Sequence, residues 1–256
     1  MTPVSVSAAA GIGRITLDRP EQLNAVNVEL GVALERAILL LGSDPTVNVI
    51  LIRGAGGTFC AGGDFDEVER LREQGPAALR TLFTAFRRAC EAIAEIEVPV
   101  VAAVQGVAAA GGFELMQAAD IVLVSDDARI ADNHIRFGMI PGGGSTQRLP
   151  RLIGRQQALA VLLSGDRLSG ADAVRVGLAY RSFPHADFDE GVARFVSAMA
   201  GRERSALTTI KGLVLSGLNK PLAPGLDDEI TAVVSHICDG AGRNGASAFT
   251  QRGGTR

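Results

Sequence analysis

Two glycine-rich segments of this chain have the composition of a site that holds a negatively charged oxygen. The first reads TFCAGGDF at residues 58–65 and follows the strand-like run 47–53. The second reads GVAAAGGFE at residues 106–114 and follows the strand-like run 99–104. Glycines leave backbone N–H groups uncrowded, and two N–H groups from separate loops can converge on one oxygen. The pair predicts an oxyanion hole, which would suit a thioester that becomes an enolate.

Glu114 ends the second segment and is the first candidate acid or base. Phe113 and Leu115 flank it, and burial in such surroundings raises a carboxyl pKa towards a value useful for proton transfer. The alternative is a solvated glutamate that the helix dipole favours at a helix start. Cys60 has no base linked to it by a motif, so we expect a buried packing residue rather than a nucleophile.

Size and composition exclude several classes of protein. The 256 residues allow one large domain, with or without a small appendage. A net charge of −3 and the scarcity of lysine argue against a nucleic-acid partner and against a basic membrane patch. The sequence shows neither a bilayer-spanning apolar run nor a secretory signal. Its three cysteines form no disulfide framework, so we expect a cytoplasmic protein.

Strand and helix patterns alternate along most of the chain. Asn27 predicts the N-cap of an amphipathic helix, and residues 76–96 predict a long one. The run GGGST at residues 142–146 predicts a further helix start, with Ser145 or Thr146 as its cap. Strand signals end near residue 183, and three helices are predicted after that point, over residues 189–200, 206–216 and 227–238.

Several motifs together carry a resemblance to a known family. They are ITLDRP with LNA at residues 15–20 and 23–25, the loops 59–65 and 103–115, PGGGSTQRL at 141–149, and LSG with ADA at 163–165 and 171–173. On these motifs the chain resembles the enoyl-CoA hydratase/isomerase (crotonase) superfamily over nearly its whole length. The resemblance implies an α/β fold: a ClpP-like superhelix of ββα units over residues 1–188, which holds the active site. It also implies a C-terminal helical trimerisation region over residues 189–256.

The same resemblance implies the ligand, the assembly and the site residues. The substrate would be an acyl-CoA, with coenzyme A present only as part of the substrate and with no metal or other cofactor. The assembly would be a homotrimer or a hexamer of two trimers. By motif position, the backbone N–H groups of Gly63 and Gly111 would form the oxyanion hole, and Glu114 would be one of two hydratase glutamates. The remaining positions would line the coenzyme A path or, for the last, help to hold the attacking water: Ala25, Ala61, Asp64, Phe65 and Gly142.

His134 departs from the family pattern, because it stands where the second glutamate is expected. An imidazole titrates near neutrality and can hold or release a proton there, so His134 is the second candidate catalytic residue. The alternative is a structural histidine in a diverged, inactive member. A single-base isomerase usually places its carboxylate at this position, so isomerase activity is less supported.

The resemblance favours a lyase, a 2-enoyl-CoA hydratase of lipid or fatty-acid metabolism. Glu114 would activate water and His134 would deliver a proton to the α-carbon of an oxyanion-stabilised enolate. Two alternatives stay open. One is a crotonase-type C–C hydrolase, or another acyl-CoA reaction, that uses His134. The other is a non-catalytic acyl-CoA-binding protein.

Overall fold

A six-stranded sheet forms the centre of the protein. The computed structural model describes residues 2–238. The sheet has the order β1-β2-β3-β4-β6-β8, antiparallel between β1 and β2 and parallel elsewhere. Its strands are β1 (Val4–Ala9), β2 (Ile12–Leu17), β3 (Val49–Gly54), β4 (Val100–Val104), β6 (Ile121–Ser125) and β8 (Arg181–Phe183).

Helices connect the strands and cover both faces of this sheet. They are α1 (Val28–Ser43), α2 (Phe65–Glu73), α3 (Pro76–Glu95), α4 (Gly111–Ala118), α5 (Ser145–Ile153), α6 (Arg155–Ser164), α7 (Gly170–Arg175), α8 (Phe188–Ala200), α9 (Arg204–Gly217) and α10 (Leu222–Cys238). Short 3₁₀ turns span Pro20–Gln22, His134–Phe137 and His185–Asp187. No helix within residues 2–238 is long and apolar enough to cross a membrane.

Alternating side chains of the parallel strands feed two hydrophobic cores. Ile50 and Ile52 of β3 pack into the larger core with α1 and α3. Val49 and Leu51 point to the opposite face and pack into the smaller core, which α8 covers. Successive side chains of a strand face opposite sides, so a strand that is apolar throughout belongs at the centre of a doubly covered sheet.

A second, smaller layer of extended chain carries both glycine-rich segments. Strands β5 (Val107–Ala109) and β7 (Arg129–Ala131) pair in parallel. Isolated bridges extend this layer, from Val26 to Gly63 and from Cys60 to Ala108. Because Cys60 pairs in parallel with Ala108 of β5, the two glycine-rich segments run side by side in this layer.

The structure confirms two of the local predictions and corrects a third. The Asn27 side chain accepts a hydrogen bond from the Leu30 N–H at 2.8 Å and so caps α1, while α3 occupies the predicted 76–96 stretch. The predicted cap of α5 is wrong, because Gly144 is its N-cap residue and no side chain caps the helix. Ser145 is instead the first helical residue, and its hydroxyl accepts a hydrogen bond from Gln117 at 3.0 Å.

The helices that follow residue 188 differ in how they pack. Helix α8 lies on the sheet, whereas α10 packs chiefly against α9. Helix α9 is fixed by Lys211, whose Nζ donates to the carbonyls of Ile93 at 2.8 Å and Val98 at 3.1 Å and lies 2.8 Å from Asp120 Oδ2. The proposed division at residue 188 stays a prediction, and residues 239–256 of its second part lie outside the described residues.

Replacing Lys211 by methionine should destabilise the protein by about 3 kcal/mol, because the Asp120 carboxylate loses its cation and keeps, among residues 2–238, only the N–H of Val100, while two carbonyls lose their donor. Lys220 is the matched control, since its ion pair with Asp228 is 40% and 45% exposed. Lys220→Met should cost less than about 1 kcal/mol. Denaturant unfolding of both variants checks this, and equal losses would contradict the anchoring role of Lys211.

Candidate active site

The two glycine-rich segments meet at Gly62 and Gly111. A Cβ atom on Gly62 would lie 2.9 Å from the Cβ of Ala110, and one on Gly111 would lie 3.5 Å from the carbonyl carbon of Gly62. Gly62 also has a φ of +119°, a conformation that favours glycine. Among residues 2–238, no acceptor takes the backbone N–H of Gly63 or Gly111. The structure therefore brings both predicted oxyanion-hole donors to adjacent loops with their N–H groups free, and their role stays a prediction.

Ala110, directly before one of these donors, has a strained backbone. Its φ of 45° and ψ of −114° are conformations that residues with a Cβ rarely adopt. Such strain costs about 1–3 kcal/mol and persists only where the surrounding structure enforces it. Here the Ala110 N–H is fixed by a 3.1 Å hydrogen bond to the carbonyl of Ala131. The strain sets the direction of the Gly111 N–H, and the sequence alone gave no sign of it.

Glu114 lies in the first turn of α4 and is 2% exposed. Its Oε1 accepts hydrogen bonds from the N–H groups of Gly143 at 2.6 Å and Ser145 at 3.2 Å. Burial raises the pKa of this carboxyl, against the opposing effects of the Ser145 hydrogen bond and the charge of His134. The interpretation as a solvated glutamate is therefore wrong. Its Oε2 accepts no hydrogen bond from the described part of the chain and is left for a ligand.

The loop before α5 approaches Glu114 so closely that only glycine fits. A Cβ on Gly143 would lie 2.7 Å from Glu114 Oε2 and 2.3 Å from a ring carbon of Phe86. Arg148 secures the loop from the other side by donating to the Gly143 carbonyl at 2.6 Å. Gly142, the predicted water-holding residue, is exposed, and the loop N–H that binds Glu114 belongs to the next glycine. Its predicted role is left untested.

His134 opens the 3₁₀ turn after β7, and its ring nitrogen Nδ1 lies 2.6 Å from Oδ1 of Asp132. The His134 side chain is 13% exposed and that of Asp132 is 1% exposed. Burial lowers the pKa of His134, but the hydrogen bond and charge of Asp132, together with the charge of Glu114, outweigh it and raise the pKa. The charges of Glu114 and His134 each shift the pKa of the other group, which supports placing the two in one site, and that shared site stays a prediction. Asp132 was not singled out.

Arg19 holds two of the residues that were predicted to line the coenzyme A path, Ala25 and Asp64. Its guanidinium pairs with Asp64 at 2.7 Å and donates to the Ala25 carbonyl at 2.5 Å. The N–H of Ala61 donates to the carbonyl of Leu23 at 3.0 Å. Sequence reasoning missed this arginine as a site residue; its place in the ITLDRP motif was the available signal, whereas its partner Asp64 is 45 residues away in the chain.

Phe65 lies at the rim of the site rather than inside it. It is the first residue of α2 and is 56% exposed. Its ring meets that of Phe137 edge to face, with the ring centres 6.2 Å apart. Since Phe137 belongs to the same 3₁₀ turn as His134, this contact joins α2 to the turn that carries the second catalytic candidate.

Cys60 is a packing residue, as predicted. It is fully buried, and burial raises the pKa of its thiol to about 12. A thiol with so high a pKa is almost wholly protonated at neutral pH and is a poor nucleophile. The candidates for chemistry that remain are the carboxyl of Glu114, the imidazole of His134 and the N–H groups of Gly63 and Gly111.

Backbone N–H groups without a partner, a buried carboxyl and an imidazole are groups that reactions passing through an oxyanion use, and their roles in this chain stay predictions. A sequence model described as "Enoyl-CoA hydratase/isomerase" matches residues 7–255. The chain belongs to the enoyl-CoA hydratase/isomerase family.

Individual relatives agree with this membership. The chain is 31% identical over 241 residues to the mitochondrial enoyl-CoA hydratase of Pongo abelii, covering 94% of this chain and 81% of that one. It is 32% identical over 242 residues to a probable enoyl-CoA hydratase of Mycobacterium leprae, covering 94% and 92%. The crystal structure of an enoyl-CoA hydratase from Bacillus anthracis superposes with a TM-score of 0.91 at 28% identity, covering 98% of this chain and 96% of that one. The predicted superfamily, crotonase fold and hydratase-like enzyme class are confirmed.

Replacing Ala110 by glycine should stabilise the protein by about 1 kcal/mol, because relief of the backbone strain exceeds the entropy that glycine adds to the unfolded chain. Ala109→Gly is the matched control. Ala109 lies in strand β5, so glycine there should destabilise the fold. Thermal unfolding of both variants distinguishes them, and a loss of stability in Ala110→Gly would show that the backbone is unstrained.

Proposed function

We propose that this protein is a 2-enoyl-CoA hydratase that catalyses the reversible addition of water to an enoyl thioester. The observation that carries the proposal is the state of Glu114. The carboxyl is buried, its Oε1 accepts two hydrogen bonds, its Oε2 accepts none from the described part of the chain, and the charge of His134 acts on its pKa. A water held by a carboxylate, next to a proton donor, is what a conjugate addition requires.

The geometry supports the following steps. The N–H groups of Gly63 and Gly111 bind the thioester oxygen, where negative charge develops. Glu114 Oε2 accepts a proton from water while the water oxygen bonds to the β-carbon. The electron pair of the double bond moves towards the thioester oxygen, and His134 transfers a proton from Nε2 to the α-carbon. Glu114 is then protonated and His134 neutral, so a proton must return to the imidazole before the next turnover.

Coenzyme A serves here only as part of the substrate, and the steps above use protein groups alone. Arg19 supports its proposed path by fixing Asp64 and the carbonyl of Ala25. A place in fatty-acid metabolism and a cytoplasmic location remain predictions from the sequence. The free state of all three cysteines accords with that location.

Self-association into a trimer, or a hexamer of two trimers, is also part of the proposal. Helices α9 and α10, together with the C-cap residue of α9, expose large apolar side chains at Ile210, Val214, Leu218, Leu222, Leu226, Ile230, Val233, Val234 and Ile237. In addition, an apolar groove of about 450 Å³ lies between helix α6 and the chain that begins at the 3₁₀ turn of His134. Apolar surface of this extent favours burial against another chain.

A C–C hydrolase is the second candidate, and the Asp132–His134 contact favours it. An imidazole that an aspartate orients can act as a base towards water that attacks a carbonyl carbon. The oxyanion hole would then hold the oxygen of a β-diketone or β-keto acyl substrate. A non-catalytic acyl-CoA-binding protein would keep the hole and turn over neither kind of substrate.

Glu114→Gln should lower the rate of hydration by about 10²- to 10⁴-fold, because the amide cannot accept the proton of water. Loss of the ultraviolet band of the conjugated enoyl thioester measures the rate, with crotonyl-CoA and a longer 2-enoyl-CoA as substrates. Binding of butyryl-CoA should survive the change. An unchanged rate would contradict the assignment of Glu114.

Substrate and variant panels separate the alternatives. Activity on a β-diketone that is lost in His134→Ala, with none on enoyl-CoA, would favour the hydrolase. Binding without turnover of any thioester would favour the non-catalytic protein.

His134→Glu tests the departure from the family pattern, but it places a third carboxylate beside Glu114 and Asp132. Asp132→Asn combined with His134→Glu removes that repulsion and is the cleaner variant.

The pH profile of the hydration rate should be bell-shaped. Activity rises as Glu114 loses its proton, at a pH above the usual range of a glutamate because its pKa is raised. Activity falls as His134 loses its proton, at a pH above the usual histidine range because its pKa is also raised. The profile of kcat/KM against pH checks both limbs. In Glu114→Gln the acidic limb should disappear, and the alkaline limb should remain but move to lower pH, because the variant lacks a negative charge that raises the pKa of His134.

A further inference from the structure

The carboxylate of Asp132 holds both the ring and the backbone of His134. Its Oδ1 lies 2.6 Å from the ring nitrogen Nδ1 and accepts a second, longer hydrogen bond from the His134 N–H at 3.4 Å. Two contacts to one oxygen restrict rotation of the ring about its first side-chain bond. The aspartate follows β7 directly, so the small layer of the fold fixes its position.

This contact decides which ring nitrogen carries the proton in the neutral form. An ionised carboxylate can only accept a hydrogen bond, so Nδ1 must be the donor. The lone pair of the neutral ring then lies on Nε2, and in the cation Nε2 bears the second proton. Within residues 2–238, Nε2 has no hydrogen-bond partner. It is therefore the nitrogen available to a substrate.

The burial of Asp132 shows that the aspartate is committed to this one partner. Its side chain is 1% exposed, and its second oxygen, Oδ2, is buried without a hydrogen-bond partner among the described residues. A buried carboxylate that is poorly hydrogen-bonded is costly unless a positive charge lies beside it. Protonated His134 supplies that charge.

Two carboxylates therefore act on one imidazole. The charged groups that shift the pKa of His134 are Asp132, on the same loop, and Glu114, on α4. An acid that must be protonated when the enoyl substrate arrives benefits from both. A lone imidazole, partly buried, would lose its proton more readily.

We propose that Asp132 is a positioning residue, which keeps His134 in the Nδ1–H form and leaves Nε2 as the atom that transfers the proton. The proposal rests on the hydration reaction proposed above. It adds a residue that the chain supplies together with His134, so that histidine and aspartate act as a unit where the family pattern has a glutamate.

Asp132→Asn tests this unit with little change in shape. The amide can donate to Nδ1, which favours the Nε2–H tautomer, and it removes a negative charge. We expect kcat to fall by about 10²- to 10⁴-fold. We expect the alkaline limb of the pH profile to move to lower pH, and binding of butyryl-CoA to be retained.

The same chain offers a matched control. His185 Nδ1 lies 3.3 Å from the carboxylate of Asp127, and both side chains are exposed, at 73% and 61%. Asp127→Asn removes a carboxylate from the neighbourhood of a histidine, as Asp132→Asn does, but at a pair that is far less buried. It should leave kcat and the pH profile unchanged.

The tautomer can be read without any activity. The protein has three histidines, so solid-state NMR of ¹⁵N-histidine-labelled protein resolves them, and His134→Gln assigns the signal. Wild-type His134 should be Nδ1–H when neutral and should switch to Nε2–H in Asp132→Asn. If that variant does not fold, the tautomer of His134 in the wild-type protein, read from its NMR signal across the pH titration, still tests the role of Asp132.

The outcomes separate this proposal from the proposed function. A wild-type Nε2–H tautomer, or an unchanged kcat in a folded Asp132→Asn protein, would overturn the role of Asp132. A wild type that hydrates no enoyl thioester would overturn the hydratase assignment instead, whatever the tautomer. An Nδ1–H ring with a shifted alkaline limb and a reduced kcat supports both.

Discussion

A buried carboxylate needs hydrogen-bond donors, and much of the local structure supplies them to Glu114. The N–H groups of Gly143 and Ser145 donate to one of its oxygens, so Glu114 satisfies the first N–H of α5, a helix that no side chain of its N-cap residue caps. The loop can come this close only because Gly143 lacks a side chain, and Arg148 holds its carbonyl from behind. The same contacts leave the second oxygen of Glu114 free. One constraint thus joins α4 to α5 and leaves unpaired, within the described chain, the oxygen that is proposed to bind water.

Charge balance is the second constraint on this site. Glu114 and Asp132 bring two negative charges into a region of low exposure, and His134 can bring one positive charge. The imidazole is therefore more than a replacement for a carboxylate, since its cationic form compensates both acids. A glutamate at position 134 would have the opposite effect beside Asp132. Histidine and aspartate are compatible with each other there, which gives a physical reason for finding them together.

The two-layer architecture explains why the site forms at this place. The main sheet is apolar on both faces and is covered by helices, so its strands contribute packing rather than chemistry. The small layer, with β5 and β7, leads directly into the segments that carry the candidate catalytic residues Glu114 and His134. The strained Ala110 lies at that boundary, between a paired strand and the helix that carries Glu114. Strain at such a junction is tolerated because the layer on one side and the helix on the other are both fixed.

The sequence by itself determined the class of fold, the family and the two catalytic candidates. Those features depend on local pattern: the apolar runs of β3 and β4, the cap at Asn27, and the glycines beside Glu114 in the GGFE motif. Only the tertiary structure decided the burial of Glu114, its donors at Gly143 and Ser145, and the strain at Ala110. It also decided the contacts of Arg19 with Asp64 and with the carbonyl of Ala25. These are contacts between segments far apart in the chain, or backbone angles that neighbours impose, and neither leaves a local pattern. Asp132 stands between the two cases: it lies two residues from His134, but only the ring orientation and the burial show that they act together.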